Sequence, residues 1–310
     1  MTAIKHLLHQ IVDYAGLFPP AGLPLDQVVE NYREYVGSET NWMLARLIVP
    51  ASRLEEFATV YQKVIAGNAG GDPWQISALI PPVNAAEDGF AKAMQAIESF
   101  NAAHSYAVVD TVEGKLPSAD LIDATCENLL PSLNAFLEVP WQDPNATLQA
   151  LAKSGRDKTF AKIRTGGVTE DLIPASERVA NFICQCVASG IGLKATAGLH
   201  HPLRDQYALT YDEDADRGTM HGFMNVFLAI CFARVQLWTP NQVAHLLETG
   251  DPESFKVEQD QISFQDQSLT AAEIQSVRDS FAISFGSCSF VEPVQDLIQL
   301  GWLADAAKTV

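Results

Sequence analysis

The chain has 310 residues, 47% of them apolar and 19% charged, which supports a packed core and excludes a wholly disordered polypeptide. Its net charge is −18, from 38 acidic against 20 basic residues. Such a surface repels phosphate backbones and anionic membranes, so nucleic-acid and membrane partners are excluded, and an anionic ligand needs a local basic pocket.

In chain order, eight short apolar runs read as buried strands: residues 11–14, 44–49, 75–80, 106–112, 135–139, 160–165, 192–197 and 282–287. Segments with apolar residues at helical spacing lie between them, at 25–36, 51–65, 85–100, 119–133, 147–152 and 176–189. Alternating strand and helix predicts a parallel sheet, and eight strands point to an α/β fold closed as a (β/α)8 barrel, one domain over residues 1–310. Periodicity alone does not separate closure from an open doubly wound sheet. No G-x-G-x-x-G follows the first strand, which argues against a dinucleotide-binding unit.

The rhythm breaks between the seventh and eighth strands. Residues 203–280 read as an insertion at the catalytic face, a lid or an oligomer contact. It holds an acidic stretch around Asp212 and Asp216 and an apolar helix over 221–235. Further helices are expected to start at Thr239-Pro240 and at Thr270, where Glu273 is placed for a capping box. Residues 249–268 read as a mobile polar segment. The five cysteines (Cys126, Cys184, Cys186, Cys231 and Cys288) form no disulfide framework, and residues 1–20 lack a signal-peptide pattern. The expected setting is the reducing cytoplasm.

Catalytic groups of such barrels sit at the C-terminal ends of the strands. The polar residues interrupting the apolar runs are Asp13 on the first strand, Arg46 on the second, Asp110 and Glu113 on the fourth, and Glu138 on the fifth. The sixth carries Lys162 and Arg164, followed by Thr165 and Gly166. The seventh carries Lys194 and Thr196, followed by Gly198, His200 and His201. Side chains alternate along a strand, so Lys162 and Arg164 point the same way, and the outer face suits Ala161, Ile163 and Thr165 better than a charge. Both cations are therefore expected inside the barrel. Neighbouring strands are about 4.8 Å apart, which brings Lys194 close to Lys162. Like charge and desolvation favour a neutral amine, and a neutral lysine forms a Schiff base with a carbonyl.

The runs Phe160-Ala-Lys162 with Thr165-Gly166, and Gly192-Leu-Lys194 with Gly198, resemble the paired lysine strands of deoxyribose-phosphate aldolase and related class I aldolases. Ile11-Val-Asp13, Leu137-Glu138 and Phe285-Gly-Ser-Cys-Ser289 resemble that family's first, fifth and last strands. The resemblance implies a Schiff base on Lys162, tuned by Lys194, with phosphate held near the last strand. The chain departs from the pattern at Arg164, at Ala197 in place of a loop glycine, and in the run His200-His201-Pro202. The family's fourth-strand aspartate is matched by Asp110 only after a three-residue shift.

These readings lead to an aldolase- or lyase-like enzyme for a small, anionic carbonyl compound. Lys162 is the expected nucleophile, Lys194 its modulator, and Asp110 or Glu138 the proton shuttle. Asp13, Arg46, Arg164, Thr165, Gly166, Thr196, Gly198, His200, His201, Gly286, Ser287 and Ser289 are the expected substrate contacts. No organic cofactor is required and no metal is expected, although His200, His201 and His221 with Glu138 are of ligand type. Two alternatives stand beside this: a barrel enzyme that binds an anion or a metal without a Schiff base, and a metabolite-binding barrel without catalysis. Self-association through residues 223–235 is a further expectation.

Overall fold

The computed structural model describes residues 1–65, 71–83 and 88–304. After helix α1 (Ala3–Leu8), strand β1 (Val12–Tyr14) begins a regular alternation: α2 (Leu25–Val36), β2 (Leu44–Pro50), α3 (Leu54–Val64), β3 (Trp74–Ile80), α4 (Gly89–Ala103), β4 (Ala107–Lys115), α5 (Ile122–Asn128), β5 (Asn134–Glu138), α6 (Pro144–Lys153), β6 (Thr159–Arg164), α7 (Ser176–Ser189) and β7 (Leu193–Thr196). A hairpin follows, β8 (Asp205–Ala208) and β9 (Arg217–Met220), then α8 (Phe223–Gln236) and α9 (Pro240–Glu248). A small sheet, β10 (Phe255–Val257), β11 (Gln261–Phe264) and β12 (Gln267–Thr270), leads through α10 (Ala271–Ser280) to β13 (Ala282–Ser287) and α11 (Val291–Gln299). The helix expected over 85–100 begins at Gly89; residues 85–87 lie outside the described part of the chain.

Eight strands close into a parallel barrel in the order β1-β2-β3-β4-β5-β6-β7-β13. All eight runs read from the sequence supply its strands, so the sheet is closed and not doubly wound. Outward residues such as Leu47, Ala78, Leu137, Ala161 and Ala195 are buried against the helical ring. This follows from burial on both faces of a parallel sheet, which also explains the near-continuous apolar runs.

The segment expected as an insertion divides between the two ends of the barrel. Only the β8–β9 hairpin reaches the catalytic face. Helix α8 has buried residues on every side and packs against α7, α9, α10 and β13, so it belongs to the outer ring. Residues 249–268 are ordered as antiparallel strands, because Phe255, Ile262, Phe264 and Leu269 alternate with polar residues and bury one face of the sheet. This sheet touches α1, where the Ala3 amide donates to the Gln259 carbonyl at 2.8 Å, and α1 feeds the N-terminal end of β1. The small sheet therefore lies away from the catalytic mouth. Capping boxes start α9 at Thr239 and α10 at Thr270, as the sequence predicts. No described helix is long and apolar enough to cross a membrane.

Candidate active site

Register sets the centre of the site. Glu138 of β5 pairs with Lys162 of β6, and Lys162 pairs with Lys194 of β7, so three charged side chains form one row on adjoining strands. The same faces carry Phe136 and Phe160, whose rings stack at 5.2 Å below that row. Lys162 and Arg164 thus point into the barrel, while Ala161 and Ile163 are buried on its outer side.

The two lysines occupy different environments. Lys194 has no exposed surface, and its Nζ lies 2.5 Å from Asp13 Oδ2 and 2.6 Å from Glu113 Oε1. Burial works against its charge, but Asp13 and Glu113 outweigh it and raise its pKa. Lys162 Nζ is held more loosely, 3.4 Å from Glu113 Oε2 and 3.3 Å from Glu138 Oε2. It faces a cavity of about 330 Å³, together with Glu113 and Arg164.

Glu113 ties the lysines together. Burial pushes its carboxyl up, yet Lys194 and Lys162, with a 2.7 Å hydrogen bond from the Ser77 hydroxyl, hold it at about 2. Asp13 lies under Lys194, accepting from the Ser284 hydroxyl at 2.5 Å and from the Arg46 amide at 2.9 Å. Asp13, Glu113 and Glu138 therefore face Lys162, Lys194 and Arg164. Three carboxylates against three cations meet the requirement that buried charges be paired.

Several expected residues lie elsewhere. Asp110 does not reach the lysines: Arg46 Nε and Nη2 grip its two oxygens at 2.7 and 2.6 Å, and neither residue lines the cavity. An irregularity in the β3–β4 register is the cause. Ile76 pairs with Val109 but Ser77 with Thr111, so Asp110 is the extra residue and Glu113 takes the inward place beside Lys194. Asp13 is sealed below the cavity and has no access to a ligand there. Thr165 is also buried; its hydroxyl donates to the Ala197 carbonyl at 2.8 Å and fixes the loop after β7.

Around the mouth, Thr196, Gly198, His200 and Gly286 line the cavity. Gly166 is not part of the cavity wall; a Cβ there would stand 2.9 Å from the Gly198 Cα, and the bare backbones let the two loops touch. Ala197 adopts φ 58° and Gly198 φ 71°, an αL pair that costs the alanine roughly 1–2 kcal/mol. Ser289 caps the Glu292 amide at 3.2 Å, and the Ser287 hydroxyl lies 3.4 Å from His200 Nδ1. His201 is turned aside, with Nδ1 2.6 Å from Asp296 Oδ2 and its ring stacked on Tyr207. His221 Nε2 bonds the Pro174 carbonyl, so the three histidines face different partners. Among the described residues, no group of three or more His, Cys, Asp or Glu is arranged to hold a metal ion.

Sequence reading missed the wall formed by Ala15, Phe18, Pro19 and Pro20 after β1, and the apolar patch of Ile48, Leu79, Val168 and Leu172. The double proline was the available signal, since it cannot continue regular structure, and residues 16–21 run as successive turns over the barrel's end.

No protein-family model matches the chain, and no curated protein matches it. Among solved structures, the chain is similar to malate synthase from Haloferax volcanii in a ternary complex with pyruvate and acetyl-CoA. The similarity has a TM-score of 0.41 at 13% identity and covers 78% of this chain and 70% of that one.

Proposed function

We propose that the protein is an aldolase- or lyase-like enzyme in which Lys162 forms a Schiff base with a small carbonyl substrate. The observation that carries this reading is the asymmetry of the lysine pair. Lys194 is a sealed, doubly paired cation, whereas Lys162 faces the cavity on long contacts of 3.3 and 3.4 Å. A nucleophile needs access and a nearby group to take its proton; Glu138, which touches Lys162 Nζ, has that position. Glu113, held at about 2, is too weak a base for the task and serves as a fixed negative charge beside the amine.

In the proposed reaction, Lys162 Nζ attacks the substrate carbonyl carbon. Glu138 passes protons as the carbinolamine loses water to give an iminium, and then takes the β-hydroxyl proton. The oxygen pair forms the C=O of the departing fragment as the Cα–Cβ bond breaks, and that bond's pair moves into the iminium to give an enamine. The enamine is reprotonated at Cα and hydrolysed by water to free Lys162. Lys194 keeps the floor of the site cationic and Glu113 ionised. Arg164 lines the cavity with a planar donor fork and suits a carboxylate or phosphate on the substrate. Its 3.4 Å contact with Glu138 couples substrate charge to the shuttle. The apolar patch of Ile48, Leu79 and Leu172 limits the remainder to a short, largely uncharged chain.

A panel of β-hydroxy aldehydes and β-hydroxy ketones, with and without an additional carboxylate or phosphate, assayed for release of a carbonyl fragment, tests the reading. Turnover of at least one anionic member is expected, with loss by 10³-fold or more in Lys162→Met and a raised KM in Arg164→Gln. Full activity in Lys162→Met rules the mechanism out.

A further inference from the structure

A second reactive centre stands at the rim of the same cavity. Cys288 follows β13 and His200 follows β7, and both line the cavity while remaining largely buried. Cys288 Sγ lies 3.9 Å from His200 Nδ1, and Glu292 Oε2 lies 3.3 Å from the same nitrogen. The Tyr211 hydroxyl, reaching in from the β8–β9 hairpin, is 3.5 Å from Cys288 Sγ and donates to Glu292 Oε2 at 2.9 Å. Thiol and carboxylate, both from the segment after β13, thus converge on one nitrogen of an imidazole that follows β7. An Nδ1–H there faces a thiolate and a carboxylate together, the thiol–imidazole pairing of covalent catalysis with a second negative charge beside it.

We propose that Cys288, activated by His200 and Glu292, is a second nucleophile of the cavity and adds reversibly to the carbonyl carbon of a small aldehyde. The thiolate sulfur forms the new S–C bond as the C=O π pair moves to oxygen. The imidazolium proton of His200 goes to that oxygen. The product is a hemithioacetal beside a neutral imidazole, and reversal restores both ions. Electrostatics agree with the geometry. Burial raises the Cys288 thiol, but the hydrogen bond and charge of His200 bring it below its ordinary value. Burial lowers His200, and Cys288 and Glu292 together raise it to about 9. Cys231 makes the contrast within the same chain: it is buried without such a base and is pushed up to about 12. The site does not depend on an imine at Lys162.

Iodoacetamide alkylation across a pH series, read at Cys288 by peptide mass spectrometry, tests the activated thiol. The rate is expected to reach half its maximum below about 8.5, the value of a free cysteine. His200→Gln should slow labelling at neutral pH about tenfold or more and move the half-point upward. Glu292→Gln should move it in the same direction by less, and it keeps the test readable if His200→Gln fails to fold. No labelling of Cys288 in the folded protein, or an unchanged half-point in the variants, overturns the proposal. For the aldehyde, propionaldehyde is added to Lys162→Met, in which that imine cannot form. Saturable, reversible protection of Cys288 is expected; absence of protection removes the aldehyde assignment whatever happens at Lys162.

Discussion

Lys162 and Lys194 are register partners on adjacent strands, yet only Lys162 faces the cavity, while Lys194 is sealed between Asp13 and Glu113. Two identical side chains thereby acquire different work. Lys194 sustains the barrel interior, and Lys162 is the one presented to the cavity.

That division predicts opposite balances of stability and chemistry. Lys194→Met leaves Asp13 and Glu113 buried without their main counter-charge, a loss of about 3–5 kcal/mol. Lys162→Met leaves Glu113 on Lys194 and Glu138 on Arg164, so the expected loss is about 1–2 kcal/mol. Denaturant unfolding of the two variants measures the difference, and equal losses contradict the division.

Glu113 predicts an acid-side loss of stability. Its folded-state pKa, about 2, lies below that of an unfolded glutamate, so the unfolded chain binds more protons between the two values. The stabilisation is complete above about 4.3, the unfolded value, and falls away as pH drops toward 2. Unfolding free energy measured from pH 6 downward should show this slope. Glu113→Gln should flatten it while lowering stability at neutral pH; an unchanged slope counts against the ion pairs.

The two candidate proton shuttles are expected to separate cleanly. Asp110→Asn breaks the grip of Arg46 and should cost about 1–3 kcal/mol in stability, with little change in imine formation. Glu138→Gln should leave stability closer to wild type and slow imine formation by about 10²-fold or more. Rates of cyanoborohydride-dependent labelling compare them, and a stronger effect from Asp110→Asn reverses the assignment.

Much of this was legible in the sequence because barrel strands are buried on both faces. A charge inside such a run has to point inward, which placed Lys162, Arg164, Lys194 and Glu138 correctly. On β4 the same rule admits both Asp110 and Glu113, and it is the family resemblance that singles out Asp110. Alternation assumes an unbroken pleat, and the extra residue at Asp110 shifts the parity, so the inward carboxylate is Glu113. Ser77, a lone hydroxyl in an apolar strand, was its hidden partner. Asp13 was read as a mouth residue because a strand-borne charge there can face ligand or lysine equally well; only the β1–β13–β7 neighbourhood decides for Lys194. The Cys288–His200 contact joins residues 88 positions apart through loop geometry, which no local pattern encodes.

The most direct test of the central claim is borohydride reduction of the protein with small anionic and neutral carbonyl compounds, followed by peptide mapping. The account predicts one covalent adduct, on Lys162, absent from Lys162→Met and retained in Cys288→Ser. An adduct on Lys194 alone, or none on Lys162 across a broad aldehyde and ketone panel, contradicts it.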